Sequence, residues 1–379
     1  MILRAKIVLP VGAPPIEDGA VEITGDTITA VGPASEVTGD DVRDLGEVML
    51  LPGLINAHCH LDYTDMRGLV PWRGRFVEWL TAITELKKQW TPEQFRASIR
   101  NGLRQALASG TTTIVNIECF PELIEETPAR LWVCPELIDL GHGLPELPLK
   151  ADGLSPHALY TASAALYRAC MATGLLLTTH LAESPEEEEM FRWGRGPMYE
   201  RFAKLGRDMG DCKQTGPVDL AHRLGVLGPQ CLAVHMNCLT THEIELTRAS
   251  GTHVVHCPRT HQFFGRGGSL LEAFRQRGVN LCLGTDSLAS NDSLDMFAEM
   301  VEVARQNPRL PPKEILAMVT TNAARALNRA DKLGTIAAGA CADLIAVALD
   351  GPVGDPYEVA VFNEKPVSFV MVGGKVVVE

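Results

Sequence analysis

The stretch Leu51-Pro52-Gly53-Leu54-Ile55-Asn56-Ala57-His58-Cys59-His60 decides the reading of this chain. Its apolar residues form a short run of the kind a buried strand requires, and its polar residues wait at the C-terminal end. Side chains alternate along a strand, so His58 and His60 point to one side and can grip a metal ion together. The same arrangement returns in Thr179-His180-Leu181-Ala182-Glu183, in Val234-His235 and in Gly284-Thr285-Asp286-Ser287. Three imidazoles and a carboxylate delivered in this way are the ligands of a metal-assisted hydrolase.

Eight strand-like runs can be read, at residues 53–58, 112–117, 131–137, 158–161, 175–180, 231–235, 252–256 and 279–283. Helical patterns lie between most of them, such as 92–108 and 185–205. Strands alternating with helices predict an α/β fold, a parallel (β/α)8 TIM barrel over residues 51–334. Active sites of such barrels form where the strands end, and the polar residues above fall there. Residues 1–50 and 335–379 have a different texture, with short alternating strands and Gly-Asp or Gly-Gly turns. They predict a small β-sandwich domain built from both chain termini. The run Glu186–Glu189 reads as the solvated first turn of a helix. Trp72, Trp79 and Trp90, after the first barrel strand, suit either a lid with an aromatic face or helical core packing.

Composition narrows the function. With 34 basic and 47 acidic residues the net charge is −13, which disfavours nucleic acid and anionic membrane surfaces as partners. No stretch is long and apolar enough to span a bilayer. The first ten residues mix charge with apolar side chains and read as a strand rather than a secretory signal. Ten scattered cysteines without a Cys-x-x-Cys pair read as buried thiols in a reducing cytosol.

Each polar residue has a role to fill. His58, His60, His180 and Asp286 make a full ligand set for one divalent ion. Zinc is expected, with iron or manganese acceptable to the same donors. His235 suits a fourth imidazole ligand, or a donor outside the ligand set that polarises the substrate; the second role is preferred because the set is already complete. Glu183, three residues after His180, is placed to meet substrate and water. His157, at the mouth of the fourth strand, is expected to contact the substrate, as are Arg259 and His261 after the seventh strand and Ser287 after the eighth.

These motifs resemble the amidohydrolase superfamily, in particular its aminohydrolase, or deaminase, branch. Ser155-Pro156-His157-Ala158-Leu159-Tyr160-Thr161, Thr321-Asn322-Ala323-Ala324-Arg325-Ala326-Leu327 and Gly339-Ala340-Cys341-Ala342-Asp343-Leu344-Ile345 extend the resemblance over almost the whole chain. His60-Leu61-Asp62-Tyr63-Thr64, Trp193-Gly194-Arg195-Gly196-Pro197 and Leu288-Ala289-Ser290-Asn291-Asp292-Ser293 look most like aminodeoxyfutalosine deaminases, of the futalosine route to menaquinone. Adenosylhomocysteine deaminases usually carry an Ile-Trp-Pro lid segment, where this chain has Ile83-Thr84-Glu85-Leu86. The resemblance implies His58, His60, His180 and Asp286 as ligands, Glu183 and His235 as catalytic or orienting groups, and His157 as a substrate contact. Two-metal relatives bridge their ions from the fourth strand with a modified lysine or a carboxylate. Residues 158–161 offer neither, so one ion is expected. Many relatives are dimers, and a homodimer is the corresponding expectation.

The expected reaction is hydrolytic deamination of an aminopurine-like ring. The metal acidifies water, Asp286 takes its proton, Glu183 protonates the ring nitrogen, His235 stabilises the tetrahedral centre, and ammonia leaves. The alternatives are hydrolysis of a cyclic amide or of a halogenated or amino triazine-like ring, and a barrel kept as a non-catalytic scaffold. A scaffold would be expected to have lost ligands, and this chain has the full set.

Overall fold

In the computed structural model, which describes residues 1–148, 150–267, 270–351 and 353–379, strand Leu54–His60 is buried along its whole length. Strands Thr111–Glu118, Arg130–Leu137, Gly153–Pro156, Leu176–Leu181, Cys231–His235, His253–His256 and Leu281–Leu283 follow it, each parallel to the one before. After Leu283 the chain continues into Asp286–Ser287, which pairs with the first strand, Asp286 opposite Cys59 and Ser287 opposite His60. The circuit closes, and the architecture is that of a TIM-like barrel.

The interior beneath the strand ends is apolar. Ile55, Ala57, Val115, Ile117, Leu232, Val234 and Val255 come from strands on opposite sides and share one core. The ladder between the first two strands slips in register between Asn56 and Cys59. A slip of one residue exchanges the faces of a strand. Ala57 therefore joins the apolar filling while His58 and His60 turn to His180 and Asp286.

Both chain ends meet in one eight-stranded sheet: Ile2–Val8, Ile16–Thr24, Thr27–Pro33, Val42–Asp44, Val48–Pro52, Leu344–Ala348, Val367–Val372 and Lys375–Val378. Period-two alternation divides its residues between two cores. Met49, Leu51, Ile345 and Val347 pack with the barrel, whereas Leu50, Leu344, Ala346 and Phe369 enclose a smaller core with Leu3 and Ile28. Strands buried on both faces lose the polar alternation of a surface strand, which is why Val48–Pro52 reads as uniformly apolar.

Three local readings are corrected. The fourth strand is Gly153–Pro156 rather than 158–161; Ala158 makes a single bridge to His180, and the next residues turn. The helix expected over 185–205 is two helices, Pro185–Trp193 and Gly196–Lys204, because Gly194 adopts φ +57 and ends the first. The acidic run is largely committed to partners rather than solvated. Glu187 is fully buried, Glu186 accepts from Phe76 N and Val77 N at 2.9 and 2.7 Å, and Glu188 and Glu189 pair with Arg192 and Arg195. Glu186 thus caps helix Phe76–Gln89, whose first amides lack intrahelical acceptors and whose own preceding residue, Arg75, supplies no side-chain cap. Helix Pro92–Ala108 has the expected bounds, set by a Thr91–Gln94 capping box and Pro92.

Candidate active site

The strand ends bring His58, His60, His180 and Asp286 together, with one ligand atom from each lying within 4.8 Å of the others. Asp286 Oδ1 is 3.7 Å from both His58 Nε2 and His60 Nε2, and His60 Nε2 is 3.4 Å from His180 Nε2. The closing pair of Asp286 with Cys59 causes this proximity, since it sets the carboxylate between the two histidines of the first strand. His180 Nδ1 donates to the carbonyl of His157 at 2.8 Å, which frees Nε2 to face the other ligands. His58 Nε2 is buried with no hydrogen-bond partner among the described residues. A buried nitrogen left so, facing two imidazoles and a carboxylate, fits a divalent ion with nitrogen and oxygen donors.

Four residues around this point have left-handed backbone: Ala182 (φ +50), His235 (φ +77), Met236 (φ +50) and Asp286 (φ +56). Such conformations cost energy in residues other than glycine and persist only when their surroundings hold them. Here Glu187 accepts from Ala182 N at 3.1 Å and Glu183 N at 2.7 Å, and Asp286 Oδ1 accepts from Ser287 N at 2.8 Å. Asn56 ties the first strand to the eighth. Its Oδ1 accepts from Thr285 N and its Nδ2 donates to Thr285 Oγ1, at 3.1 and 2.7 Å.

Glu183 and His235 face the ligands, with His235 Nε2 3.8 Å from Glu183 Oε2 and 4.0 Å from Asp286 Oδ2. Burial pushes the Glu183 carboxyl above its usual range, although Arg266 opposes the shift with its Nη1 3.2 Å away. Burial also raises Asp286, but the facing His58, His60 and His180 reverse this and hold it below the usual carboxylate range. Burial lowers His60, His180 and His235, which keeps their imidazoles neutral and able to bind metal.

A cavity of about 220 Å³ opens over these groups. Phe76, Trp79, Ile83, Phe264, Tyr160 and Phe202 supply its apolar wall. His157 and Ser287 line it as well. Arg259 and His261 are not among the lining residues. Arg259 is turned to Asp292 and Ser293, and His261 stands behind His235, its Nε2 3.1 Å from His235 Nδ1. Of the three tryptophans, Trp79 reaches the cavity, Trp72 packs edge-on against Phe264, and Trp90 lies on Phe95.

Sequence reading missed one polar wall, where Lys87 and Glu136 line the cavity 3.6 Å apart. Burial raises the Glu136 carboxyl, but Lys87 and His157 bring it well below normal. Lys87 also contacts Cys119 Sγ at 3.3 Å and stands over the Tyr63 ring, which in turn stacks on His60. Behind His60, burial and the nearby Glu118 push the Asp62 carboxyl well above the usual carboxylate range.

Burial of so many titratable groups gives stability a maximum in pH. The histidines bind fewer protons folded than unfolded, with His256 lowered to about 4 and His157 to about 3, so stability is lost as pH falls below about 6.5. Glu187 and Glu299 are each raised to about 8, so the folded state binds more protons and stability declines as pH rises toward 8. The denaturant midpoint is therefore expected to peak near neutrality. Glu299→Gln should flatten the alkaline limb, and an unchanged slope in that variant would remove Glu299 as a cause.

Three imidazoles, a carboxylate and a buried glutamate at the mouth of a parallel barrel are the constellation of a metal-dependent hydrolase. The chain belongs to the Amidohydrolase family, which it matches over residues 49–132 and 148–377. It is 31% identical over 397 residues to the 5-methylthioadenosine/S-adenosylhomocysteine deaminase of Syntrophobacter fumaroxidans, covering 94% of this chain and 84% of that one. An adenosine deaminase from Xanthomonas campestris with bound zinc shares 26% identity at a TM-score of 0.85, covering 100% of this chain and 92% of that one. The Helicobacter pylori aminofutalosine deaminase has the same fold, with a TM-score of 0.83 at 21% identity, and the match covers 100% of this chain and 99% of that one.

Proposed function

We propose that this protein is a metal-dependent hydrolytic deaminase of adenine-type nucleosides that releases ammonia. The observation that carries the reading is the meeting of His58, His60, His180 and Asp286 at one point, with Glu183 and His235 on the same cavity floor. The adenine-type substrate is supported by what the relatives named above act on, by their names.

One divalent ion, zinc before iron or manganese, would be held by His58, His60, His180 and Asp286. When bound, such an ion acidifies water from a pKa of about 15.7 toward about 7. Asp286, kept ionised, would accept the water's proton at Oδ2, the oxygen 4.0 Å from His235 Nε2, and later return it to the departing amine. Glu183, raised by burial, carries the proton that the ring nitrogen takes up. His261 Nε2–H donating to His235 Nδ1 leaves a proton on His235 Nε2, directed between Glu183 and Asp286, where it can donate to the oxygen adding to the ring. His157 and Ser287 contact the substrate from the cavity wall. Arg259 and His261 act at one remove, Arg259 by tying down the 292–293 loop and His261 through His235.

The catalytic unit spans residues 51–334, and residues 1–50 with 335–379 make the terminal β-domain, whose small core of Leu3, Leu50, Leu344 and Phe369 suits a sheet folded over on itself as a sandwich. Ten cysteines without a disulfide support a reducing, cytosolic location. The relevant test is ammonia release by the metal-loaded protein from aminodeoxyfutalosine, methylthioadenosine, adenosylhomocysteine, adenosine, guanine and cytosine. A strong response from one adenine nucleoside is expected. Silence across the panel with metal confirmed bound would move the assignment to cyclic amides or halogenated rings.

A further inference from the structure

The two carboxyl oxygens of Glu183 meet different neighbours. Oε1 accepts from Arg266 Nη1 at 3.2 Å, and Oε2 faces His235 Nε2 at 3.8 Å. Arginine has five N–H donors and no acceptor. The oxygen it touches is therefore the accepting one, and a proton carried by Glu183 belongs on Oε2. That oxygen is turned to His235, whose Nε2 also stands 4.0 Å from Asp286 Oδ2.

Arg266 has little freedom to give up this contact. Its guanidinium lies over the rings of Phe76 and Phe264, 4.9 and 4.7 Å from their centroids, and the two rings meet edge to face at 5.4 Å. Only 11% of its side chain is exposed, and its Nη2 is buried with no hydrogen-bond partner among the described residues. Its backbone amide donates to the His261 carbonyl at 2.9 Å, and the His261 ring in turn meets His235. Phe76 opens helix Phe76–Gln89, whose first amides are held by Glu186, three residues beyond Glu183. One short segment after the seventh strand thus reaches both proton-handling groups, His235 through His261 and Glu183 through Arg266.

The contact also strengthens as the reaction proceeds. As an acid, Glu183 offers Arg266 a neutral acceptor. Once the proton has passed from Oε2 to the ring nitrogen, Oε1 belongs to a carboxylate, and a hydrogen bond between opposite charges is roughly twice as strong as a neutral one. Arg266 favours the state after proton transfer over the state before it, and stabilisation of that kind raises kcat rather than lowering KM.

We propose that Arg266 is a positioning residue for the proton transfer: it holds Glu183 by Oε1, directs the proton on Oε2 to the substrate, and steadies the carboxylate left behind. This rests on the nucleoside deaminase reading and adds to it the means by which the proton donor is aimed.

The test compares zinc-loaded Arg266→Met and Arg266→Lys with the parent. Ammonia release is followed from methylthioadenosine, adenosylhomocysteine, adenosine and aminodeoxyfutalosine, and the infrared band of Glu183 is identified as the one lost in Glu183→Gln. Arg266→Met should lower kcat about 10–100-fold with KM and metal content little changed, the loss expected when a hydrogen bond to a charged group is removed. Arg266→Lys should recover part of it. In the Glu183→Gln background, where no acid proton remains to be aimed, Arg266→Met should cost little more. A parental kcat in Arg266→Met, or equal losses in the two backgrounds, would overturn the proposal. Arg266→Gln, which keeps an N–H donor without the charge, takes the place of Arg266→Met should that variant not fold. The infrared band needs no turnover: it should shift in Arg266→Met, and an unmoved band would also overturn the proposal. A shifted band without ammonia from any of the four nucleosides would keep Arg266 as the holder of Glu183 and remove the deaminase reading.

Discussion

Glu183→Gln is expected to bind metal as the parent does and to lose about 10²–10⁴-fold in turnover, the range associated with a positioned general acid–base group. Metal content is expected to hold because Glu183 is outside the cluster of His58, His60, His180 and Asp286. The local backbone should hold as well. Glu187 keeps its hydrogen bonds to Ala182 N and Glu183 N, and Asn237 still donates to the Glu183 carbonyl at 3.2 Å. Glutamine has nearly the same shape, and its amide oxygen can still accept from Arg266. What it cannot do is deliver and recover an acidic proton. The decisive comparison is turnover against metal content in one preparation. Full turnover would place the proton donor elsewhere. Loss of metal together with activity would make Glu183 a support of the metal site.

The meeting of His58, His60, His180 and Asp286 was legible in the sequence because each follows a short apolar run, and a parallel barrel gathers the C-terminal ends of its strands. The terminal strands were legible through their period-two alternation, but their pairing order was not, since hydrogen-bond partners lie hundreds of residues apart, as Leu51 and Ile345 do. The fourth strand was misplaced because Gly153–Pro156 is short and offers no apolar run, while the following Ala158-Leu159-Tyr160 imitates one. Its position is fixed by pairing with Glu136, Leu137, Leu176 and Leu177, which no local pattern reveals. Glu187 was read as solvated for the same reason: an acidic run at a helix start looks like dipole compensation, and only the fold shows Glu187 turned inward to hold the strained Ala182–Glu183 backbone. Arg259 was read as a substrate contact from its motif alone, and its contacts with Asp292 and Ser293, far along the chain, lie beyond any local pattern. Charged residues announce themselves in sequence, but their partners do not.

Gly284→Ala is expected to damage both stability and metal binding, for a reason that lies in the barrel seam. A Cβ at this position would stand 2.7 Å from the His58 carbonyl oxygen, 2.9 Å from His58 Cβ and 3.0 Å from His58 N. These are backbone atoms and the root of a ligand side chain, so no rotamer change relieves the clash. Either the eighth strand moves away from the first, or His58 moves. Two residues later Asp286 pairs with Cys59 and sets its carboxylate 3.7 Å from His58 and His60, so either movement disturbs the ligand geometry. Overpacking of this kind costs about 1–3 kcal/mol. Displacing the support of a ligand lowers metal affinity by about 10–100-fold. Gly228→Ala is the control, because a Cβ there meets no atom within 4 Å. It should leave the denaturant midpoint unchanged or slightly raised, through reduced freedom of the unfolded chain. Parental midpoint and metal affinity in Gly284→Ala would mean that the first and eighth strands do not approach as closely as the closure of the barrel on Asp286 demands.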